Sequence, residues 1–142
     1  MTAVSIRLAR PEDAAAVAAL FRQLGYPSTA DEVRERLLEH GGDTVRALVA
    51  EHEGKVAGII VVNLIAPLHV ADRWALVSAL ATNEAIRGAG IGAALLGEAE
   101  RFAREQGCSR IELSSSESRT RAHAFYVQNG FGEVRKRFVK QM

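Results

Sequence analysis

Hydrophobic and polar positions alternate over residues 4–8, as they do in a half-buried strand. The period then changes. Val17, Leu20, Phe21 and Leu24 recur at helical spacing, with Pro11 suited to a first helical position and Gly25 to a C-terminal cap. Thr29 and Glu32 have the spacing of a capping box that opens a second helix. Val33 and Leu37 share one face of that helix, and Gly41-Gly42 ends it. Residues 44–51 and 55–65 read as strands joined at Glu53-Gly54, an antiparallel hairpin. A loop over 66–72 leads to a strand over 74–82. Ile91, Leu95, Ala99 and Phe102 then form one helical stripe, which Gly107 terminates. Residues 110–115 predict a strand with Ile111 and Leu113 on one face, residues 120–128 a helix closed by Asn129-Gly130, and residues 131–139 a last strand. The predicted order is β-α-α-β-β-β-α-β-α-β. Antiparallel strands come first and β-α-β units last, which calls for an α/β chain with a mixed sheet.

Composition narrows the class without adding to this picture. The chain of 142 residues is 48% hydrophobic and 25% charged, with a net charge of +1, a balance that fits one globular domain over residues 1–142. The near-zero net charge argues against a nucleic-acid binder. The most apolar stretch, residues 56–71, is interrupted by Asn63, Pro67 and His69 and is shorter than the roughly 20 residues of a membrane span. The single cysteine, Cys108, excludes an intramolecular disulfide framework and points to a reducing, cytoplasmic compartment. A lone thiol needs a positioned base to act as a nucleophile, and its Gly107-Cys108-Ser109 context reads as a helix-to-strand joint.

The chemistry concentrates in Arg87-Gly88-Ala89-Gly90-Ile91-Gly92, which opens a helix directly after a strand. Glycines let the backbone approach a ligand, and the N–H groups at a helix N-terminus attract phosphate oxygens. The pattern implies an anion site, most simply for a pyrophosphate. A plain glycine-rich connector is the structural alternative. Gly88, Gly90 and Ala93 also match a dinucleotide fingerprint, with Glu112 at about the distance of a ribose-binding acid. Against that stand residues 83–87 between strand and loop, the late position of the unit, and too little chain for a second mononucleotide half.

The same six residues resemble the acetyl-CoA loop of the GNAT superfamily of N-acetyltransferases, R/Q-x-x-G-x-G/A, and Ala93-Ala94-Leu95-Leu96 continues the similarity. A second block, residues 122–131, resembles the A-x-x-F-Y-x-x-x-G-F segment of that family. The resemblance is strong over residues 74–142 and rests on element order before them. It implies a GNAT-like fold: a mixed, mostly antiparallel sheet with two splayed central parallel strands and flanking helices. By the same resemblance Leu80, Ala81 and Thr82 would pair with the pantetheine arm of acetyl-CoA. Backbone N–H groups from Arg87, Gly88, Ala89, Gly90, Ile91 and Gly92 would hold its pyrophosphate, and Arg119, where many relatives have asparagine, would reach a phosphate or an anionic acceptor or stay solvated.

Transfer to an amine needs a neutral amine, a polarised carbonyl and a proton for the leaving thiolate. A backbone N–H near Leu80 or Ala81 would stabilise the developing oxyanion. Tyr126 matches the tyrosine with which the family protonates the thiolate; a core aromatic beside Phe125 is the plainer reading. Leu76, Val77, Ser78 and Ala79 stand where many relatives carry a glutamate base, and none is an acid. His69, Glu84, Glu117, His123 or a water then remains for that role, with His69 first because its loop precedes the first splayed strand. Residues 112–126 are similar to aminoalkylphosphonate N-acetyltransferases, which implies a small anionic primary amine as acceptor. Other small amines, aminoglycosides and protein amines stay open, as does a non-catalytic acyl-CoA-binding or sensing module on the same fold. The family resemblance also implies a homodimer.

Overall fold

The computed structural model describes residues 4–39, 44–86, 90–114, 120–134 and 137–142. Five strands form one sheet in the order β1 (Val4–Leu8), β2 (Val45–His52), β3 (Lys55–Ile65), β4 (Arg73–Thr82) and β5 (Cys108–Leu113). The first three pairings are antiparallel and the β4–β5 pairing is parallel. The β2–β3 turn has Glu53 at φ 54° and Gly54 at φ 76°, the left-handed pair that suits a two-residue hairpin.

The helices are α1 (Ala14–Gln23), entered through a 3-10 turn at Pro11–Asp13, then α2 (Ala30–Glu39), α3 (Ile91–Glu105) and α4 (Thr120–Gln128). Thr29 caps α2: the Glu32 N–H donates to Thr29 Oγ1 at 3.2 Å, one half of a capping box, and the Thr29 hydroxyl donates to the Glu32 carboxylate at 3.0 Å. Alternation along each strand creates two cores, one on each face of the sheet. On one face α3 lays Ile91, Leu95, Leu96, Ala99 and Phe102 over Ala57, Ile60, Val62, Ala75 and Val77. Gly58 admits this close approach, because a Cβ there would stand 2.8 Å from Ile91 Cγ2 and 2.9 Å from Leu95 Cδ1. On the other face α1 and α2 cover Val49, Ile59 and Ala81 with Val17, Ala18, Leu20 and Val33.

The N-terminal elements are tied by charge. Arg7 on β1 donates from Nη1 and Nη2 to the Asp13 carboxylate at 2.8 and 2.9 Å, and from Nε to Glu51 on β2 at 2.6 Å. The Arg10 N–H also donates to Asp13, at 2.7 Å. These bonds hold the buried Asp13 carboxyl below the usual carboxylate range, against the opposing effect of its burial.

Two expectations change. The strand expected over 110–115 lies at Cys108–Leu113, because its register is set by pairing with Arg73–Val77 rather than by its own composition. The strand expected over 131–139 is absent from the described residues 131–134 and 137–142. Phe131 packs on the core and its N–H donates to the Tyr126 carbonyl at 3.0 Å, but Val134, Phe138 and Val139 beyond it face solvent. Arg137 reaches Ser114, just past β5, with a side-chain hydrogen bond and no strand pairing. An alternating sequence becomes a strand only where a partner edge takes up its backbone groups.

Candidate active site

The site begins where two strands stop pairing. β4 and β5 stay in parallel register through Leu76↔Glu112 and Val77↔Leu113, and β5 then ends. β4 runs on to Thr82, and among the described residues Leu80, Ala81 and Thr82 are in register with β3 alone, at Ile60, Ile59 and Gly58. The β5-facing edge of this stretch can therefore accept an extended ligand in place of a strand. A register shift against Val61 and Val62 adds an extra residue at Ser78, between Val77 and Ala79. Ser78 Oγ accepts a hydrogen bond from Asn63 Nδ2 at 2.8 Å, so the bulge is pinned to β3.

After β4 the chain turns at residues 83–86. The Asn83 N–H donates to the Ala57 carbonyl, Asn83 Oδ1 accepts from the Ala85 N–H, and Gln23 at the end of α1 accepts the Glu84 N–H. These bonds aim the chain at the start of α3. Gly90 caps that helix in the left-handed region, with φ 71°. The first intrahelical bond runs from the Ala94 N–H to the Gly90 carbonyl. The N–H groups of Ile91, Gly92 and Ala93 precede it and have no partner within the helix. They form the positive end of a 15-residue helix dipole, a site suited to phosphate. Arg87, Gly88 and Ala89 lie outside the described residues.

Helix α4 closes the site from the other side. Phe125 lies against the first turn of α3, and a Cβ on Gly92 would be only 3.0 Å from its Cζ. Tyr126 is half-buried against the α3 core, with its ring edge-on to Phe125 at 5.7 Å and to Phe131 at 6.0 Å. The two motif blocks of the sequence, the glycine loop and the Phe-Tyr segment, thus meet at one place.

Other expected residues do not join them. His69 is edge-on to Trp74 at 6.2 Å, at the start of β4. Six residues of strand separate Trp74 from Leu80, roughly 20 Å at ~3.3 Å per residue. Arg119 and Glu117 lie outside the described residues. Burial pushes the Cys108 thiol up, only partly countered by Arg73, which is the opposite of what an activated nucleophile needs. Glu112 faces away from α3, on the sheet face opposite Ile111 and Leu113, which removes it from the ribose position of a dinucleotide site.

That opposite face also holds what the sequence reading missed. Arg110 is paired with Glu112 at 3.3 Å and lies over the Trp74 ring at 3.7 Å. The signal was available in Arg110-Ile111-Glu112-Leu113, where two apolar residues facing the core force two charged ones onto the other face.

The residues present fit acetyl-CoA on two independent features. A strand edge without a partner among the described residues suits the amide-bearing arm, and a helix N-terminus suits the pyrophosphate.

Residues 12–131 match the model of the acetyltransferase (GNAT) family. The whole chain is 31% identical to an aminoalkylphosphonate N-acetyltransferase of Salmonella typhimurium, 94% of which the match covers. Among solved structures, a transcriptional regulator from Bacillus halodurans is 25% identical and superposes with a TM-score of 0.87, over 99% of this chain and 100% of that one. An aminoglycoside N-acetyltransferase solved with CoA has the same TM-score at 15% identity, over 100% of this chain and 96% of that one, a likeness of fold. The parted strands, the glycine-capped helix and the matched sequence lead to one conclusion: the chain belongs to the GNAT family, whose members transfer the acetyl group of acetyl-CoA to an amine.

Proposed function

We propose that the protein acetylates the primary amine of a small anionic molecule of the aminoalkylphosphonate type, by direct attack and with Tyr126 as the general acid. The observation that carries this reading is the convergence of Tyr126, through Phe125, with the Gly90–Gly92 start of α3 beside the parted strands. The full-length identity to an aminoalkylphosphonate N-acetyltransferase supports the acceptor class.

Acetyl-CoA supplies an activated thioester. Leu80, Ala81 and Thr82 hold its pantetheine arm along the β5-facing edge of β4, and Arg87, Gly88, Ala89, Gly90, Ile91 and Gly92 hold its pyrophosphate through main-chain N–H groups, with Arg119 as a further cation. The N–H of Leu80 or Ala81 polarises the carbonyl oxygen. The acceptor's ammonium first gives a proton to water, and the neutral amine nitrogen then bonds to the carbonyl carbon while the carbon–sulfur bond breaks. The sulfur leaves with that bonding pair and takes the Tyr126 hydroxyl proton, the nitrogen sheds its extra proton to water, and the Tyr126 phenolate recovers a proton from water. His69, far along β4 from the acyl end, lines the acceptor region in this reading rather than acting as the base.

The chain works in this reading as one domain in the cytoplasm and as a homodimer, for which the exposed apolar Val134, Phe138 and Val139 of the C-terminal segment supply surface. A non-catalytic acyl-CoA-binding module is favoured by one observation, the absence of an acid over residues 76–79. Thiol release from acetyl-CoA in the presence of 2-aminoethylphosphonate separates the two: turnover above the hydrolysis background is expected, and binding of acetyl-CoA without turnover of any amine would remove the enzyme reading.

A further inference from the structure

Among the described residues, α1 and α2 cover only part of their sheet face. Their core includes Val49, Ile59 and Ala81, near the Thr82 end of β4. Toward the Arg73 end the same face carries Ser78 with Asn63, then Leu76 beside Glu112, then Trp74 beside Arg110. Arg110 and Glu112 are one strand repeat apart, about 6.6 Å between Cα atoms at ~3.3 Å per residue. Their order is directional. Glu112 is the nearer to the point where β4 and β5 part, and Arg110 is the farther.

We infer that Arg110 and Glu112 form a zwitterion-binding subsite that fixes acceptor specificity, Glu112 holding the ammonium and Arg110 the anionic group. The inference rests on the transferase reading above. An aminoalkylphosphonate carries both charges at neutral pH, separated by a short alkyl chain. Laid along β5, it places its amine toward the acyl end only if the carboxylate stands nearest the parting of the strands and the guanidinium beyond it. The chain has that order, and the reverse order would present the anion to the thioester.

The guanidinium is also held in place. It lies 3.7 Å over the Trp74 ring, with His69 edge-on to the same ring at 6.2 Å, and its Nε is 3.3 Å from Glu112. Stacking and pairing reduce the side-chain freedom that a lone surface arginine would lose on binding. A merely structural pair at this exposure would add little to stability, and its loss would not discriminate between substrates.

The test compares two acceptors, 2-aminoethylphosphonate and the uncharged-tail amine n-propylamine, by thiol release, with acetyl-CoA affinity measured on each variant to establish folding. The wild-type protein should favour the phosphonate in kcat/KM by at least tenfold. Arg110→Gln should reduce that ratio at least tenfold, the scale of one charge-assisted hydrogen bond, while Arg110→Lys keeps part of it. Glu112→Gln should raise KM for both amines at least fivefold. A ratio unchanged in Arg110→Gln overturns the anion assignment, and an unchanged KM in Glu112→Gln overturns the ammonium assignment. A wild-type protein that acetylates both amines equally overturns the subsite and leaves the transferase reading standing. No turnover of either amine removes that reading and the subsite with it.

Discussion

Gly92 and Phe125 are in contact across two helices: a Cβ on the glycine would stand 3.0 Å from the ring Cζ. The glycine in the acetyl-CoA loop therefore has a packing role of its own. It lets α4 approach the first turn of α3, and Tyr126 is carried in on the same helix. In Gly92→Ala the ring must give way, at about 1 kcal/mol after the helix-propensity gain of alanine is set against overpacking. For a chain of this length that is a fall in Tm of about 3 °C. The same substitution in a Phe125→Leu background should be neutral or stabilising, because the ring atom is gone. Thermal unfolding of the four proteins in this double-mutant cycle measures the coupling, and strictly additive effects would contradict it.

Gly90 differs in kind. Nothing lies within 4 Å of a Cβ built there, but φ is +71°, so the cost of a side chain is conformational. Gly90→Ala should lose about 1 kcal/mol of stability. Because the residue caps the helix whose N–H groups would face the pyrophosphate in the proposed site, affinity for CoA should fall several-fold as well. Calorimetric titration reads this effect, and an unchanged affinity would detach the α3 N-terminus from the cofactor.

Tyr126→Phe keeps the packing against Phe125 and Phe131 and removes the hydroxyl. Turnover should fall roughly 100-fold, the lower range for a general acid, with acetyl-CoA affinity unchanged. Thiol-release kinetics with calorimetry on the same preparation check both halves. Equal loss of affinity and turnover would mean that the ring only shapes the site.

The Arg7–Asp13 pair gives the fold an acid-sensitive joint. The folded pKa of Asp13 lies below its unfolded value, so the contribution is complete above the unfolded value near 3.8 and is lost as pH falls through the lowered one. Arg7 is raised further from an already high value and stays charged throughout. Asp13→Asn should cost about 2 kcal/mol at pH 7 and progressively less as the pH falls below 4. Urea unfolding at pH 7, 5, 4 and 3 tests this, and a cost independent of pH would contradict the charge assignment.

Much of the architecture was legible in the sequence because its signals are local. The periods over 14–24 and 91–103, the helix cap at Thr29, the Glu53-Gly54 turn and the terminating Gly25, Gly107 and Gly130 each depend on a few neighbouring residues, and each appears where its chemistry placed it. The two motif blocks were legible for the same reason, since main-chain anion binding needs glycines and a helix start in sequence. Their meeting was not. Only packing shows that Phe125 fills the space left by Gly92, and only the register of β4 and β5 shows where the strands part.

What failed in the sequence reading was non-local. The alternating tail after Phe131 had the pattern of a strand, but a strand is a property of a pair, and the described tail residues have no partner edge to form one. The two-residue displacement of β5 has the same cause. The sequence puts His69 in the loop before β4, and the structure seats it edge-on to Trp74 at the start of that strand. The sequence by itself determined the helices, the first four strands, the glycine-capped helix start and the family, because these follow from short-range periodicity and backbone chemistry. The tertiary structure decided the parting of the strands, the seat of Tyr126 and the order of charges from Glu112 to Arg110, because each depends on the register and packing of segments distant in sequence.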